Sequence, residues 1–159
     1  MQDKERRIVD ILKRELELYD VLENLVREQE KKIEESDIEG LLKIISKKQT
    51  VISEQDKLNE ELEEIQSGLS GVIERSQDKR KLLDFLSEDV KREVEGILDS
   101  LKKKISRILE SESRSREKLS LEIEKVKEAL RSVREGKRAV AEYYGSSKIQ
   151  EPRFIDQRK

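Results

Sequence analysis

The sequence predicts an all-α protein: an elongated antiparallel three-helix bundle of the coiled-coil type, with a long third helix and a flexible C-terminal tail. Long stretches repeat apolar residues every three or four positions, which places them on one face of a helix. Of the 159 residues, 33% are hydrophobic and 45% are charged, and only one is proline, as in long helices with narrow apolar seams. Such a composition also occurs in disordered chains, but sustained periodicity argues against disorder here.

The first two helices are predicted to form a hairpin, over residues 4–34 and 37–75. Between them, Ser36 and Glu39 have the spacing of a capping box, in which the Ser36 hydroxyl accepts a hydrogen bond from the Glu39 amide. The second helix should therefore start directly after Ser36, and so short a connection leaves two helices antiparallel. The apolar stripes of the two helices are Ile8, Ile11, Leu12, Leu16, Tyr19, Leu22, Leu25 and Val26, followed by Ile38, Leu42, Ile45, Ile52, Leu58 and Leu62.

A single third helix is predicted over residues 88–143, after a connector at 76–87. Ser87 is a suitable N-cap, and the two acidic residues that follow it favour a helix start through the helix dipole. Steps of three and four residues keep one apolar phase through the polar positions Glu112 and Ser115. The helix is therefore expected to be continuous.

A polar layer is predicted across the middle of the bundle, where Glu112 and Ser115 come opposite Gln49, Gln55 and Tyr19. This layer is either a device that fixes the register of the helices, as a buried Asn does in coiled coils, or a hydrated and loosely packed section. Around it we expect a shared buried core, made of Leu16, Leu22, Leu42, Ile45, Ile52, Leu119, Ile123 and Val126.

The bundle is predicted to comprise residues 1–145, with a flexible tail at 146–159, because Gly145 is a suitable residue just past a helix end. Beyond about Leu130 the third helix should pass the end of the hairpin. Aromatic residues are enriched at interfaces, and three of the five in this chain occur in this last part. The tail is therefore expected either to dock on a partner or to cap the bundle.

The composition argues against catalysis and against several kinds of partner. The chain has no histidine and no cysteine, and its 35 basic and 37 acidic residues are interspersed. We therefore expect no enzyme activity, no cofactor, no metal and no nucleic-acid partner. No apolar segment approaches the roughly 18 residues that span a bilayer, so we expect no membrane insertion and a cytoplasmic location.

Five short motifs carry a resemblance to a known family. They are ELELY at 15–19, DIEGLL at 37–42, KKQ at 47–49, AEYYG at 141–145 and FID at 154–156. In these motifs and in their order, the chain resembles the FlgN-like flagellar export chaperones. The resemblance implies a small cytoplasmic helical protein that binds the C-terminal helical segments of the hook-filament junction proteins. It further implies that the chaperone prevents their premature assembly and delivers them to the cytoplasmic domain of the export gate.

The amphipathic helices themselves indicate how such a partner would bind. A groove between two of them can accept a further amphipathic helix, anchored by Leu and Ile at helical spacing. We expect a monomer when the protein is free, with a dimer left open. The candidate residues for binding the client or another partner are Leu101, Ile105, Ile108, Leu119, Val133, Val140, Tyr143, Tyr144 and Phe154.

Two other functional classes are compatible with the same pattern. A structural coiled-coil rod would pair its stripes with those of an identical chain. A regulatory helical adaptor would bind an unrelated partner through the same faces. The mass of the chain in solution distinguishes the rod from the chaperone, because an obligate parallel dimer leaves no groove for a client.

Overall fold

The computed structural model of the protein describes residues 2–70 and 79–146. These residues form three α-helices and one short 3₁₀ helix, which confirms the predicted all-α fold. The elements are α1 (Gln2–Glu34), α2 (Ile38–Ser70), the 3₁₀ helix (Lys79–Phe85) and α3 (Glu88–Ser146). Helix α3 is continuous through its polar positions, as predicted. The last residues predicted for the second helix, 71–75, and the tail from 147 onward lie outside the described residues.

Two ion pairs show that α1 and α2 run antiparallel. Arg7 Nε lies 2.5 Å from Glu61 Oε1, and Arg14 Nη2 lies 3.0 Å from Glu54 Oε1. Moving seven residues forward along α1 therefore moves seven residues backward along α2. This orientation is the one predicted for the hairpin.

A second set of ion pairs shows that α1 and α3 run parallel. Arg107 Nη2 lies 3.4 Å from Glu23 Oε2, and Arg114 Nε lies 3.3 Å from Glu30 Oε1. Both pairs join residues that are 84 positions apart. When the paired residues of two helices differ by a constant residue number, the two helices must run in the same direction. Exposed pairs of this kind add little stability individually, but their regular spacing identifies the register.

The hydrophobic core consists of two clusters that involve all three helices. Burial of each large apolar side chain contributes roughly 2 kcal/mol to folding. The first cluster also includes the 3₁₀ helix, and its buried members are Ile8, Val9, Ile11, Leu12, Leu62, Leu82, Leu83, Val94, Ile97, Leu98 and Leu101. The buried members of the second are Leu18, Leu22, Leu25, Val26, Ile44, Val51 and Ile108.

The turn between α1 and α2 differs from the predicted capping box. Ser36 has a positive φ of 56°, the left-handed conformation that commonly ends a helix. Its amide donates to the Ile33 carbonyl at 3.1 Å, and the Asp37 amide donates to the Lys32 carbonyl at 2.9 Å. These two bonds form a Schellman motif. Ser36 therefore ends α1 instead of starting α2.

The N-cap of α2 is Asp37. The Gly40 amide donates to Asp37 Oδ1 at 2.9 Å, and the Leu41 amide donates to the Asp37 carbonyl at 3.0 Å. The bond from Gly40 lowers the pKa of Asp37, with a further contribution from Lys32. The predicted start of the helix is thus right to within one residue, and the N-cap is Asp37 instead of the predicted Ser36. Ser and Asp are about equally good N-caps, so residue type alone does not choose between two such neighbours.

The predicted core is largely wrong. Of its eight members only Leu22 is buried and Leu16 is half-buried, while the other six are exposed. Three of these six residues are on α3 beyond the end of the hairpin, and the other three are on α2, which carries two stripes at different angles around the helix. The structure buries the less apolar stripe, which includes two glutamines and consists of Ile44, Val51, Gln55, Leu62 and Gln66.

The predicted polar layer is present, although its partners differ from those expected. Lys48 Nζ donates to Gln29 Oε1 at 2.8 Å and also contacts Glu112 Oε1. Gln29 Nε2 donates to Glu112 Oε2 at 3.3 Å, so the three side chains join all three helices. Ser115, one turn further along α3, is 2% exposed. The layer thus contains Glu112 as predicted, bonded to Lys48 and Gln29 instead of to Gln49, Gln55 and Tyr19, and Ser115 is buried beside it without a bond to these three side chains.

The contacts within the chain divide it into two units after Lys118. The first unit contains α1, α2, the 3₁₀ helix and α3 up to Lys118, and it holds both core clusters. The described part of the second unit is α3 from Leu119 to Ser146. Among the described helices, none has a stretch long and apolar enough to cross a membrane.

Candidate functional site

Helix α3 begins at a well-defined cap and carries most of the candidate binding residues. The Lys91 amide donates to the Ser87 carbonyl at 2.8 Å, as expected for the first turn of a helix. The Ser87 amide in turn donates to Glu5 Oε1 at 2.9 Å, which ties the start of α3 to α1. The sequence prediction of a helix start at Ser87 is therefore confirmed.

One apolar stripe runs along α3 without a change of phase. Residues spaced alternately by four and three positions stay on one face of a helix. Each residue advances about 100° around the axis, so seven residues complete nearly two full turns. In the first unit this face is inward, from Val94 through Leu101 and Ile108 to Ser115. The next position on the same face is Leu119, where the second unit begins.

From Leu119 onward the same face is exposed. We call this exposed set the α3 stripe. Its members are between 40% and 58% exposed, and they are Leu119, Ile123, Val126, Leu130, Val133, Val140 and Tyr144. Lys137 occupies the one position of the pattern that is not apolar. A row of large apolar side chains on a single helix face is the form that helix-in-groove and coiled-coil partners recognise.

The structure separates the predicted site residues into three groups. Leu101 and Ile108 are buried in the core and Ile105 is half-buried, so these side chains pack within the first unit. The exposed group consists of Leu119, Val133, Val140, Tyr143 and Tyr144. Phe154 lies outside the described residues.

Three members of the α3 stripe are absent from the predicted site. Ile123 and Val126 are predicted as core residues, and Leu130 is set at the expected end of the hairpin, but all three are exposed. These residues are exposed because the hairpin ends earlier along α3 than the sequence analysis expects. Lys118 pairs with Glu34, the last residue of α1, so the hairpin ends about three turns earlier along α3 than Leu130. The unbroken spacing from Leu119 onward was the signal in the sequence.

Two aromatic side chains lie near the end of the described part of α3. The rings of Tyr143 and Tyr144 have centroids 5.7 Å apart and planes at 79°, an edge-to-face arrangement. Both side chains are more than half exposed. Tyr144 belongs to the α3 stripe, whereas Tyr143 lies about 100° away around the helix. The pair therefore widens the apolar surface at this end of α3.

The charges around the α3 stripe are mostly balanced along the helix itself. Lys125 lies 3.3 Å from Glu122, and Arg131 lies 3.4 Å from Glu128, both at a spacing of three residues. Such exposed pairs contribute little to stability, but they keep the flanks of the stripe charged and hydrated. An apolar strip bordered by charged residues is typical of a surface that binds a partner reversibly. Among the described residues, no group of three or more acidic side chains is placed to hold a metal ion.

Comparison with known proteins gives one family. The family model described as FlgN protein matches residues 1–152, which is nearly the whole chain. The comparisons with curated proteins and with solved structures give no match.

Proposed function

We infer the function of this chain from the fact that it belongs to the FlgN protein family, a membership that supports a role as a flagellar export chaperone. Within that role we propose that the α3 stripe binds C-terminal helical segments of hook-filament junction proteins. The bound segment is thereby kept from premature assembly. Binding is the whole activity, with no catalytic step and no cofactor, and it takes place in the cytoplasm.

The observation that carries this proposal is the exposed row of seven apolar side chains on one face of α3. An isolated surface leucine needs no explanation, but a row of seven over about 25 residues, interrupted only at Lys137, does. A client helix with its own apolar face would cover this row by packing knobs into holes. Each buried anchor then contributes to affinity, while the charged flanks stay hydrated and allow release.

Calorimetry with a synthetic peptide from the C-terminus of a hook-filament junction protein tests the client site. We expect binding with a negative heat-capacity change, because apolar surface is buried, and a rise in helicity as the peptide folds. Replacing Val126 and Val133 together by Gln should weaken binding at least about tenfold, since each removes an anchor from the middle of the stripe.

The matched control is Leu121→Gln. Leu121 is 63% exposed, somewhat more than the stripe residues, and lies about 200° around α3 from Leu119, and so outside the stripe. This variant should bind the peptide as the wild type does. The proposal is wrong if the Val126 and Val133 variant binds equally well, or if the wild-type chain gives no heat with any junction-protein C-terminus well above micromolar concentration.

We also propose that the aromatic end of α3 docks on the cytoplasmic domain of the export gate during delivery. Tyr143 and Tyr144 are the exposed aromatic side chains of the described part of α3, and aromatic anchors dominate many interfaces. Replacing both by Ala should weaken gate binding by tenfold or more, at about 2 kcal/mol for each hot-spot residue. Client binding and the melting temperature should change little.

The same double variant tests the competing role of this end of the chain. If residues 143 and 144 take part in capping the bundle, their replacement should lower the melting temperature by several degrees. A clear loss of melting temperature with gate binding intact would therefore refute the docking role. Because the client peptide is measured separately, this result would leave the proposal for the α3 stripe untouched.

A further inference from the structure

A second apolar row lies on α2, within the first unit. We call it the α2 stripe. Its members are between 38% and 70% exposed, and they are Ile38, Leu42, Ile45 and Ile52. They follow the alternation of four and three residues, and Gln49 takes the remaining position. The two apolar residues nearest the core, Ile44 and Val51, belong to the other stripe of α2 and are buried.

The α2 stripe borders the contact between α2 and α3. Lys48, which bonds to Glu112 of α3, lies three residues after Ile45 and four before Ile52, so it is a neighbour of both on the helix surface. On α3, the exposed Leu109 lies three residues before Glu112 and borders the same contact. The stripe and Leu109 therefore form one apolar surface on the open side of the α2–α3 pair.

This surface is almost free of charge, in a chain of which 45% is charged. Between Gly40 and Ser53 there is no acidic residue. Lys43 and Lys47 are two positions from Ile45 and thus about 200° away around the helix. Lys48 is bonded to Gln29 and Glu112. Between Ile38 and Ile52 the stripe thus presents no unpaired charge to a partner, and the next position of the alternation, the exposed Asp56, lies at its C-terminal edge.

We propose that a second copy of this chain covers the α2 stripe, in a two-fold symmetric dimer. A two-fold interface brings a surface against itself, so any unpaired charge on it would face a like charge. An uncharged apolar surface avoids that repulsion. The same surface offers no charge that would attract a charged partner protein. The alternation of four and three residues gives a narrow apolar stripe. Such a stripe suits a helix from the second copy, packed as in a coiled coil.

The available apolar surface sets the strength of this dimer. Five large side chains supply less than the roughly 800 Å² per partner that is typical of stable interfaces. We therefore expect a dimer that forms with a dissociation constant in the micromolar range.

Sedimentation of the full chain over a range of concentrations tests the proposal. We expect the mass to rise from 18.7 kDa toward twice that value between micromolar and several hundred micromolar protein. Replacing Ile38 and Leu42 together by Gln should weaken the dimer at least about tenfold, because two anchors are lost. The control Val21→Gln with Leu121→Gln changes two equally exposed apolar residues elsewhere and should dimerise as the wild type does.

A charge variant provides a second test that does not alter the apolar anchors. Gln49→Lys places like charges in the middle of the interface and should weaken the dimer by on the order of tenfold, less so at high salt. Mixing the Gln49→Lys chain with a Gln49→Glu chain should restore association. Both changes are on an exposed position, so circular dichroism should show unchanged helicity.

Three results would overturn the proposal. The first is a wild-type chain that stays monomeric at several hundred micromolar. The second is a dimer that survives both the Ile38 and Leu42 variant and Gln49→Lys but is lost in the Val126 and Val133 variant, which would assign the interface to the α3 stripe. The third is a monomer whose melting temperature falls when Ile38 and Leu42 are replaced, since the stripe would then be covered within its own chain. None of these results depends on whether the client peptide binds.

Discussion

The two parts of α3 share one pattern of sequence but differ in burial. Up to Ser115, the residues on the stripe face contact α1, α2 or the 3₁₀ helix and are largely buried. From Leu119 onward, residues on the same face are at least 40% exposed. The spacing, the residue types and the helix itself continue across the boundary.

The difference shows that local periodicity identifies a face but does not decide what covers it. Burial along α3 depends on the length of the hairpin, and the pairing of Lys118 with Glu34 places the hairpin end at that level. The exposed continuation is then an apolar helix face that the hairpin does not bury. For this reason it is the strongest candidate for the binding surface of an export chaperone.

The largest expected contrast comes from the same truncation made in both parts of α3. Leu101→Ala should lower the free energy of unfolding by about 2–5 kcal/mol, because it leaves a cavity in the first core cluster. Leu130→Ala, on the exposed part of the same face, should change it by less than about 0.5 kcal/mol. Chemical denaturation of the two variants measures both values.

The client peptide should show the reverse order. Leu130→Ala should weaken its binding, whereas Leu101→Ala should leave the affinity unchanged under conditions in which the chain is folded. Equal destabilisation by the two substitutions would mean that the α3 stripe is buried in solution, and the contrast between the two parts of α3 would fail.

The sequence was sufficient for the helices and insufficient for the choice between faces. The Ser87 cap, the continuity of α3 and the polar positions Glu112 and Ser115 were all predicted correctly, because each depends on local chemistry or on helical phase. On α2 two stripes compete, and the more apolar one was chosen as the core. The structure buries the stripe with Gln55 and Gln66 instead. Nothing local distinguishes the two, since the choice depends on where α1 and α3 lie.

The predicted site residues divide in the same way by burial. Leu119, Val133, Val140, Tyr143 and Tyr144 lie late in α3 and are exposed, as a partner-binding role requires. Other residues of the same face were assigned to the wrong side of the boundary, and they are Leu101, Ile108, Ile123 and Val126. Placing the hairpin end about three turns too far along α3 accounts for Ile123 and Val126. Leu101 and Ile108 lie within the hairpin in either register, and their burial depends on core contacts with the other helices. Periodicity cannot reveal where the hairpin ends, because the stripe keeps one phase on both sides of the boundary.

The polar layer allows a second contrast, between a bridge inside the first unit and a pair on the exposed part of α3. Glu112→Ala should cost about 1–3 kcal/mol, because Lys48 is left in a site where only 16% of its side chain is exposed. Glu124→Ala removes an exposed pair with Lys127 and should cost less than about 0.5 kcal/mol. Thermal and chemical unfolding of both variants provides the measurement.

A double variant shows whether the layer serves register more than stability. Replacing both Lys48 and Glu112 by Leu should recover the stability lost in Glu112→Ala, because no charge then remains buried without a partner. If the layer fixes the register of α2 against α3, the amide NMR spectrum of this variant should show more than one packing arrangement. A single well-dispersed spectrum would instead support the hydrated-section interpretation.

Acid should weaken the first unit through its bridging carboxylates. The hydrogen bond from Lys118 lowers the pKa of Glu30, and the bond from Arg7 lowers the pKa of Glu61. A carboxylate with a lowered pKa in the folded state stabilises it at neutral pH, and this stabilisation is lost as the pH falls below about 4.5 and through the folded-state pKa. Glu30→Gln should therefore cost up to about 1 kcal/mol at neutral pH and progressively less in acid.

The control for this pH dependence is Glu124→Gln, on the exposed part of α3. Its effect on the melting temperature should be small at neutral pH. A Glu30→Gln chain whose deficit in melting temperature stayed constant from neutral to strongly acidic pH would show that the bridge between Glu30 and Lys118 does not contribute through its charge.

The smallest expected effect concerns the turn that sets the end of the hairpin. Ser36 has a φ of 56°, a conformation that a residue with a β-carbon adopts at some cost and that glycine adopts freely. Ser36→Gly should therefore raise the free energy of unfolding by roughly 0.5 kcal/mol, since the greater freedom of glycine in the unfolded chain offsets part of the gain. Ser36→Ala keeps the β-carbon and should give no such gain. Denaturation of the three chains decides this, and an equal or lower stability of Ser36→Gly would mean that the left-handed turn is not strained. The client affinity of the α3 stripe should be the same in all three chains, because the substitutions change no residue of that stripe.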